Sequence, residues 1–91
     1  MRNEPVDRTG FEFPCNFPIK VMGFAEDDFD VLVVEIVTRH IGSICEGSVA
    51  IRPSRNSKYV SVTITFVAQD QAQLDALYSE LSAHERVLMV L

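Results

Sequence analysis

Three groups of residues in this 91-residue chain have types and spacings that suit chemistry. The first is basic. Arg52, Arg55 and Lys58 place three of the eight lysines and arginines within seven positions. On an otherwise acidic protein such a patch suits an anion or an acidic partner. A solvated hairpin explains it as well, since surface ion pairs contribute only about 0–1 kcal/mol. The second group is Gly23 with Asp27 and Asp28, a candidate ligand-binding set. Glycine admits a close backbone, and a helix start offers free N–H groups. A plain turn followed by acids that cap a helix accounts for the same residues. The third group is Cys15, His40 and Cys45. A thiol and imidazole set suits a metal or redox site, but no metal-ligand spacing is present. Two reduced, semi-buried thiols and a partly buried histidine are the ordinary expectation.

Catalysis has little support. No spacing unites a nucleophile, a base and an orienting group. Neighbouring carboxylates such as Asp27 and Asp28 need not face one substrate. A non-enzyme without cofactor or metal is therefore expected.

Composition narrows the partners. Thirteen acids against eight bases give a net charge of −5, and 47% of residues are hydrophobic. An acidic surface repels phosphate backbones and anionic lipid, so nucleic acid and membrane are disfavoured. No apolar run is long enough to span a bilayer, and Met1 to Gly10 has no signal-peptide core. A cytoplasmic protein is expected. A second copy, another protein or a small-molecule effector are the partners left open.

The elements follow from period. Residues 1–13 read as a flexible N-terminal tail, and 14–91 as one domain. Phe17 to Phe24 alternates as a strand, with Phe17, Ile19, Val21 and Gly23 on one face. Phe29, Leu32, Val33, Ile36, Val37 and His40 recur at helical spacing, which predicts a helix over 28–40. Valine favours strands, but the helical period lasts over three turns. Gly42 is its expected stop. Gly47 to Ser54 is a short strand with Val49 and Ile51 inward, and Pro53 to Lys58 is a hairpin loop. Tyr59 to Val67 alternates strictly, with Val60, Val62, Ile64 and Phe66 on the core side. Leu74, Leu77, Tyr78 and Leu81 make the stripe of a second helix over 70–83. Arg86 to Leu91 is a final strand, apolar on both faces.

Two helices on one face of a four-stranded antiparallel sheet satisfy all these faces. Right-handed crossovers then select the ferredoxin-like βαββαβ sandwich, an α+β fold. The strand order expected is last, first, third, second. One end gathers the Gly23 turn, the basic hairpin and His84-Glu85. The other gathers Cys15, His40, Cys45 and Gln69. The open sheet face carries Lys20, Met22, Arg52, Ser61, Thr63 and Thr65. RNA binders of this fold stack bases on central-strand aromatics, and Tyr59 alone makes a poor platform. The final strand lies at an edge, and Val31 and Val34 add a thin second apolar line to the first helix. Both features suit pairing with another chain, unless Phe11 and Phe13 cover the edge.

The runs Phe17-Pro18-Ile19-Lys20-Val21-Met22-Gly23, Arg39-His40, Val49 to Ser54, Lys58-Tyr59, Val60 to Ile64 and Val87 to Leu91 carry a resemblance. Over about residues 13–91 the chain resembles the YbeD-like family of small bacterial proteins of unknown function. The resemblance implies the same βαββαβ fold and a likeness to ACT regulatory domains. Family members often neighbour lipoate-biosynthesis genes, which implies a regulatory setting. It carries over no catalytic residues. In ACT domains the turn at Gly23 often binds an amino acid, but Glu26-Asp27-Asp28 stands where that pattern is expected and repels a carboxylate.

Overall fold

The computed structural model describes residues 12–42 and 44–91. The expected tail, residues 1–13, falls almost wholly outside them, Phe11 included. The elements run β1 (Cys15–Phe24), α1 (Phe29–Ile41), a short 3-10 turn (Glu46–Ser48), β2 (Val49–Pro53), β3 (Tyr59–Ala68), α2 (Gln71–Ala83) and β4 (Val87–Val90). The sheet order is β2-β3-β1-β4, with every pairing antiparallel. This is the expected ferredoxin-like arrangement.

The core lies between the helices and the two central strands. Ile19 and Val21 of β1, Val62 and Ile64 of β3, Val33 and Val37 of α1, and Leu77 and Leu81 of α2 are fully buried. Each fully buried side chain of this kind contributes about 1.5–3 kcal/mol. No residue of β2 or β4 is fully buried. The strong alternation of β1 and β3 marks the strands that have a helix layer on one face and none on the other.

β1 begins at Cys15, two residues before the expected start, and its ladder with β3 runs from Cys15–Ala68 to Phe24–Tyr59. Pro18 sits inside this central strand, where a missing N–H is normally excluded. Its position explains the tolerance. Lys20 exchanges both backbone hydrogen bonds with Leu91. The even-numbered residues of β1 thus turn their peptide groups toward β4. At Pro18 β4 supplies no partner, so no ladder bond is lost.

Three expectations need correction. Ile51 faces the helix side of the sheet, opposite Val62, yet it is 49% exposed. Neither helix packs substantially on β2, so alternation told the face but not the cover. The strand itself begins at Val49 rather than Gly47, because Glu46–Ser48 forms the 3-10 turn. At the start of α1, Asp28 occupies the cap position with φ 52°, and its side chain accepts no capping hydrogen bond. The acids there favour the helix through charge alone. By contrast Asp70 caps α2, accepting from the Gln73 N–H at 2.8 Å, while Gln73 Oε1 accepts from the Gln69 N–H at 2.8 Å. Gly42 ends α1 as expected, at φ 99°, with its N–H on the Thr38 carbonyl at 2.8 Å.

Candidate functional site

The face of the sheet away from the helices has no covering element among the described residues. The register maps it row by row. Met89, Met22, Ser61 and Arg52 align across β4, β1, β3 and β2. The next row holds Leu91, Lys20, Thr63 and Ala50. At the hairpin end Phe24 faces Tyr59, with ring centroids 5.3 Å apart. The β4 side is therefore apolar, with Met89 and Leu91 at least half exposed. The β2 side carries hydroxyls and a guanidinium.

Lys20, Met22, Arg52 and Tyr59 surround a pocket of about 210 Å³ over Ser61. Ser61 is only 8% exposed although it lies on the open face. The longer side chains around it shade it. Its hydroxyl donates a long bond, 3.4 Å, to the Arg52 carbonyl. Among the described residues neither Lys20 nor Arg52 meets a carboxylate. Among the described residues no acid lies on a strand. The charged residues of the four strands are thus Lys20 and Arg52, while Arg39, Arg55, Lys58 and Arg86 lie off the strands, as the described acids do.

The basic hairpin continues this surface. Asn56 Oδ1 accepts from the Lys58 N–H at 3.1 Å and from the Ser54 hydroxyl at 3.0 Å. Ser57 takes φ 60° to close the turn. Lys58 Nζ stands 5.6 Å from the Tyr59 ring centroid, a cation over an aromatic face. Arg55 is exposed at the tip. Arg52, Arg55 and Lys58 are therefore neighbours along one hairpin, but only Arg52 lines the sheet pocket.

The Gly23 turn lies at the same end, where the Ala25 N–H donates to the Lys58 carbonyl at 2.9 Å. Gly23 is buried, while Asp27 and Asp28 are exposed, with φ 50° and 52°. The space beside Gly23 is filled from within the chain by the Phe29 ring and the Arg86 carbonyl. Arg86 also donates to the carbonyls of Glu26 and Asp27, the latter at 2.9 Å, with its guanidinium 5.7 Å from the Phe29 ring centroid. Asp27 and Asp28 border an open cleft with Glu26 and Asp30, a setting that repels anions. Sequence reasoning missed Arg86, since a lone base ahead of a strand has no pattern.

At the opposite end His40 Nε2 meets Glu80 Oε1 at 2.7 Å, and Arg39 holds both Glu80 oxygens. Arg39 first, then His40, pull the Glu80 carboxyl from 4.5 down to about 2. Burial raises the Tyr78 phenol, whose hydroxyl donates to the Leu91 carbonyl at 3.2 Å. Cys15 is half-buried in β1 and Cys45 is exposed, both as free thiols. Cys45 borders an open cleft with Asn16, Thr65 and Gln69, and no charged side chain lines it. Among the described residues no three of His, Cys, Asp and Glu gather as a metal site, and no helix is long and apolar enough to cross a membrane.

The chain is similar in sequence to named bacterial proteins and in fold to a solved structure. A protein named UPF0250 from Leptothrix cholodnii is 43% identical over 91 residues, covering 100% of both chains. A UPF0250 protein of a Janthinobacterium species is 44% identical over 80 residues, 88% of each chain. The Chromobacterium violaceum UPF0250 protein is 40% identical over 89% of this chain and 91% of its own. The solution structure of protein HP0495 from H. pylori superposes with a TM-score of 0.63 over 100% of this chain and 98% of that one. At 14% identity that likeness concerns the fold. The family described as "Protein of unknown function (DUF493)" matches residues 8–91, and the chain belongs to it.

Proposed function

We propose that this protein is a non-catalytic interaction module that docks a protein partner on the open face of its sheet. The observation that carries this reading is the sheet face that no element among the described residues covers. It joins an apolar strip at Met22, Met89 and Leu91 to the cations Lys20 and Arg52. Exposed patches of this mixed kind mark interaction surfaces. The pocket volume of about 210 Å³ is below the ~300–1,000 Å³ usual for small-molecule sites. A broad partner fits the face better than a metabolite. The resemblance to ACT-like modules makes the proposed role a regulatory one. The YbeD-like resemblance suggests lipoate metabolism as the setting in which to seek the partner.

The test is an affinity pull-down from the native host with the wild-type chain and with Thr63→Tyr. Thr63 sits in the middle of the open face, and tyrosine adds bulk there without charge. A stoichiometric protein retained by the wild type and lost with Thr63→Tyr supports the reading. Recovery of RNA or a small ligand alone, or capture unaffected by the substitution, overturns it.

A further inference from the structure

We infer that the partner presents an acidic segment with aliphatic or aromatic side chains among its carboxylates, and that Lys20 and Arg52 receive those carboxylates. This inference rests on the interaction reading above and names the chemistry of the same face.

Charge complementarity carries it. The protein is acidic overall, yet all four strands lack acids and expose two cations. Lys20 and Arg52 stand two strands and one row apart. That is roughly 12 Å between their backbones, from about 4.8 Å per strand and ~6.7 Å per two residues. Both side chains nonetheless line one pocket over Ser61. Two cations that border one pocket, with no carboxylate paired to either among the described residues, favour an anion there. The Ser61 hydroxyl, held only by a 3.4 Å bond, is available to donate to the same group.

The apolar half of the face supplies the second requirement. Met22 joins the pocket wall, and Met89 and Leu91 continue from it toward the β4 edge. A bare anion leaves that strip wet. A segment carrying acids and apolar residues covers both halves at once. Lys58 and Arg55 extend the positive field past Tyr59, which aids encounter more than final affinity. RNA fits less well. Its bases need stacking platforms across the middle of β1 and β3, where Lys20, Met22, Ser61 and Thr63 stand, while the Phe24–Tyr59 pair lies at the hairpin end with its rings against each other.

The test is a ¹⁵N-¹H NMR titration of the full chain. The probe is a short acetylated, amidated peptide alternating glutamate with leucine or phenylalanine. The controls are the same peptide with lysine for glutamate, and a uridine oligonucleotide. The expected result is saturable shifts at Lys20, Met22, Arg52, Ser61 and Thr63 with the acidic peptide only. Lys20→Glu with Arg52→Glu should weaken that binding at least about tenfold, as loss of close charge pairs does. Both side chains are exposed, and an unchanged thermal melt verifies the fold. Raising salt from about 0.1 M to about 1 M shortens the screening length from ~10 Å to ~3 Å and should weaken it too. Equal binding of the lysine peptide, shifts with the oligonucleotide alone, or no saturable shift overturns the inference. Self-association abolished by the double variant also overturns it, because the occupant is then a second copy. If a host protein is lost with Thr63→Tyr but kept by Lys20→Glu/Arg52→Glu, the interaction reading stands and the acidic-partner inference falls.

Discussion

The Phe29 ring occupies the place where Gly23 would otherwise carry a side chain. A Cβ built on Gly23 falls 2.5 Å from Phe29 Cε1 and Cζ, and 2.6 Å from the Arg86 carbonyl oxygen. Gly23 is not among the positive-φ residues of the structure. The constraint is space, not backbone conformation. One of the obstructing atoms belongs to backbone and cannot rotate away. Gly23→Ala should therefore destabilise by about 1–3 kcal/mol, the usual cost of overpacking. Chemical denaturation measures it directly. A midpoint equal to wild type would show that the β1–α1 junction relaxes freely.

Arg86 closes the same junction from the other side. Its guanidinium donates to two carbonyls of the turn and lies over Phe29. Asp27 and Asp28 hold left-handed backbone there, and such residues cost roughly 1 kcal/mol each unless their surroundings compensate. Arg86→Ala should lower stability by about 1.5–3 kcal/mol, the range of hydrogen bonds to charged groups. Arg86→Lys should recover little of it, because an ammonium cannot fork to both carbonyls. A lysine variant as stable as wild type contradicts this account.

Ile64 and Ile51 test the layer structure. Both side chains point to the helix side of the sheet, on adjacent strands. Ile64 is fully buried and Ile51 is 49% exposed. Ile64→Asp buries a carboxylate with no partner and should unfold the domain, costing more than ~3 kcal/mol. Ile51→Asp should leave a cooperative melt. If the two variants melt alike, the helices do not divide the sheet as described.

The contrast also shows what a sequence can reveal. Alternation named the core faces of β1 and β3 because a full helix layer makes every second residue pay in solvation. It named the face of Ile51 as well, but alternation reports direction and not cover, and β2 lies beyond both helices. The helical period likewise located Val33, Ile36 and Val37. Asp28 looks like a cap because its residue type favours that role, whereas its backbone is left-handed and its side chain accepts no capping hydrogen bond. The candidate site was half visible. Arg52 stood out within a basic cluster, but Lys20 is a lone lysine in an apolar strand. Only the register across three strands brings the two to one pocket. Glu80 and Arg86 meet partners 40 to 60 positions away, a separation no local pattern encodes.

Glu80 should give the domain a distinct acid response. Arg39, then His40, hold its carboxyl down from 4.5 to about 2. A carboxyl lowered in the folded state binds protons less readily than in the unfolded chain. Its contribution is thus complete above about 4.5 and lost as pH falls toward about 2. Melting temperatures of wild type and Glu80→Gln, followed through that window, should converge at the acid end. Parallel curves would remove Glu80 from the acid response. Added salt should reduce the difference, since the group is on the surface.

The β4 edge bears on self-association. Leu91 pairs with Lys20 through both backbone groups, so the alternate residue Val90 turns its N–H and C=O away from β1. Among the described residues no strand pairs with them. Leu88 is the extra residue of a bulge, since Met22 faces Met89 while Gly23 faces Val87. It is 50% exposed, and Leu91 is 59% exposed. Phe13 packs against the core, and Phe11, the other residue expected at this edge, lies outside the described residues. A second copy related by a two-fold axis would continue the sheet, pair these groups and cover Leu88. It would leave the Lys20–Arg52 pocket open, because edge pairing adds to the sheet without stacking on it. The expected outcome is a molar mass that rises toward a dimer across a concentration series in light scattering. Leu88→Lys should shift that rise to higher concentration, since lysine is among the residues that blunt an edge. The Lys20→Glu/Arg52→Glu variant should dimerise as wild type does. A monomer at every concentration would show that the short, bulged strand blunts its own edge.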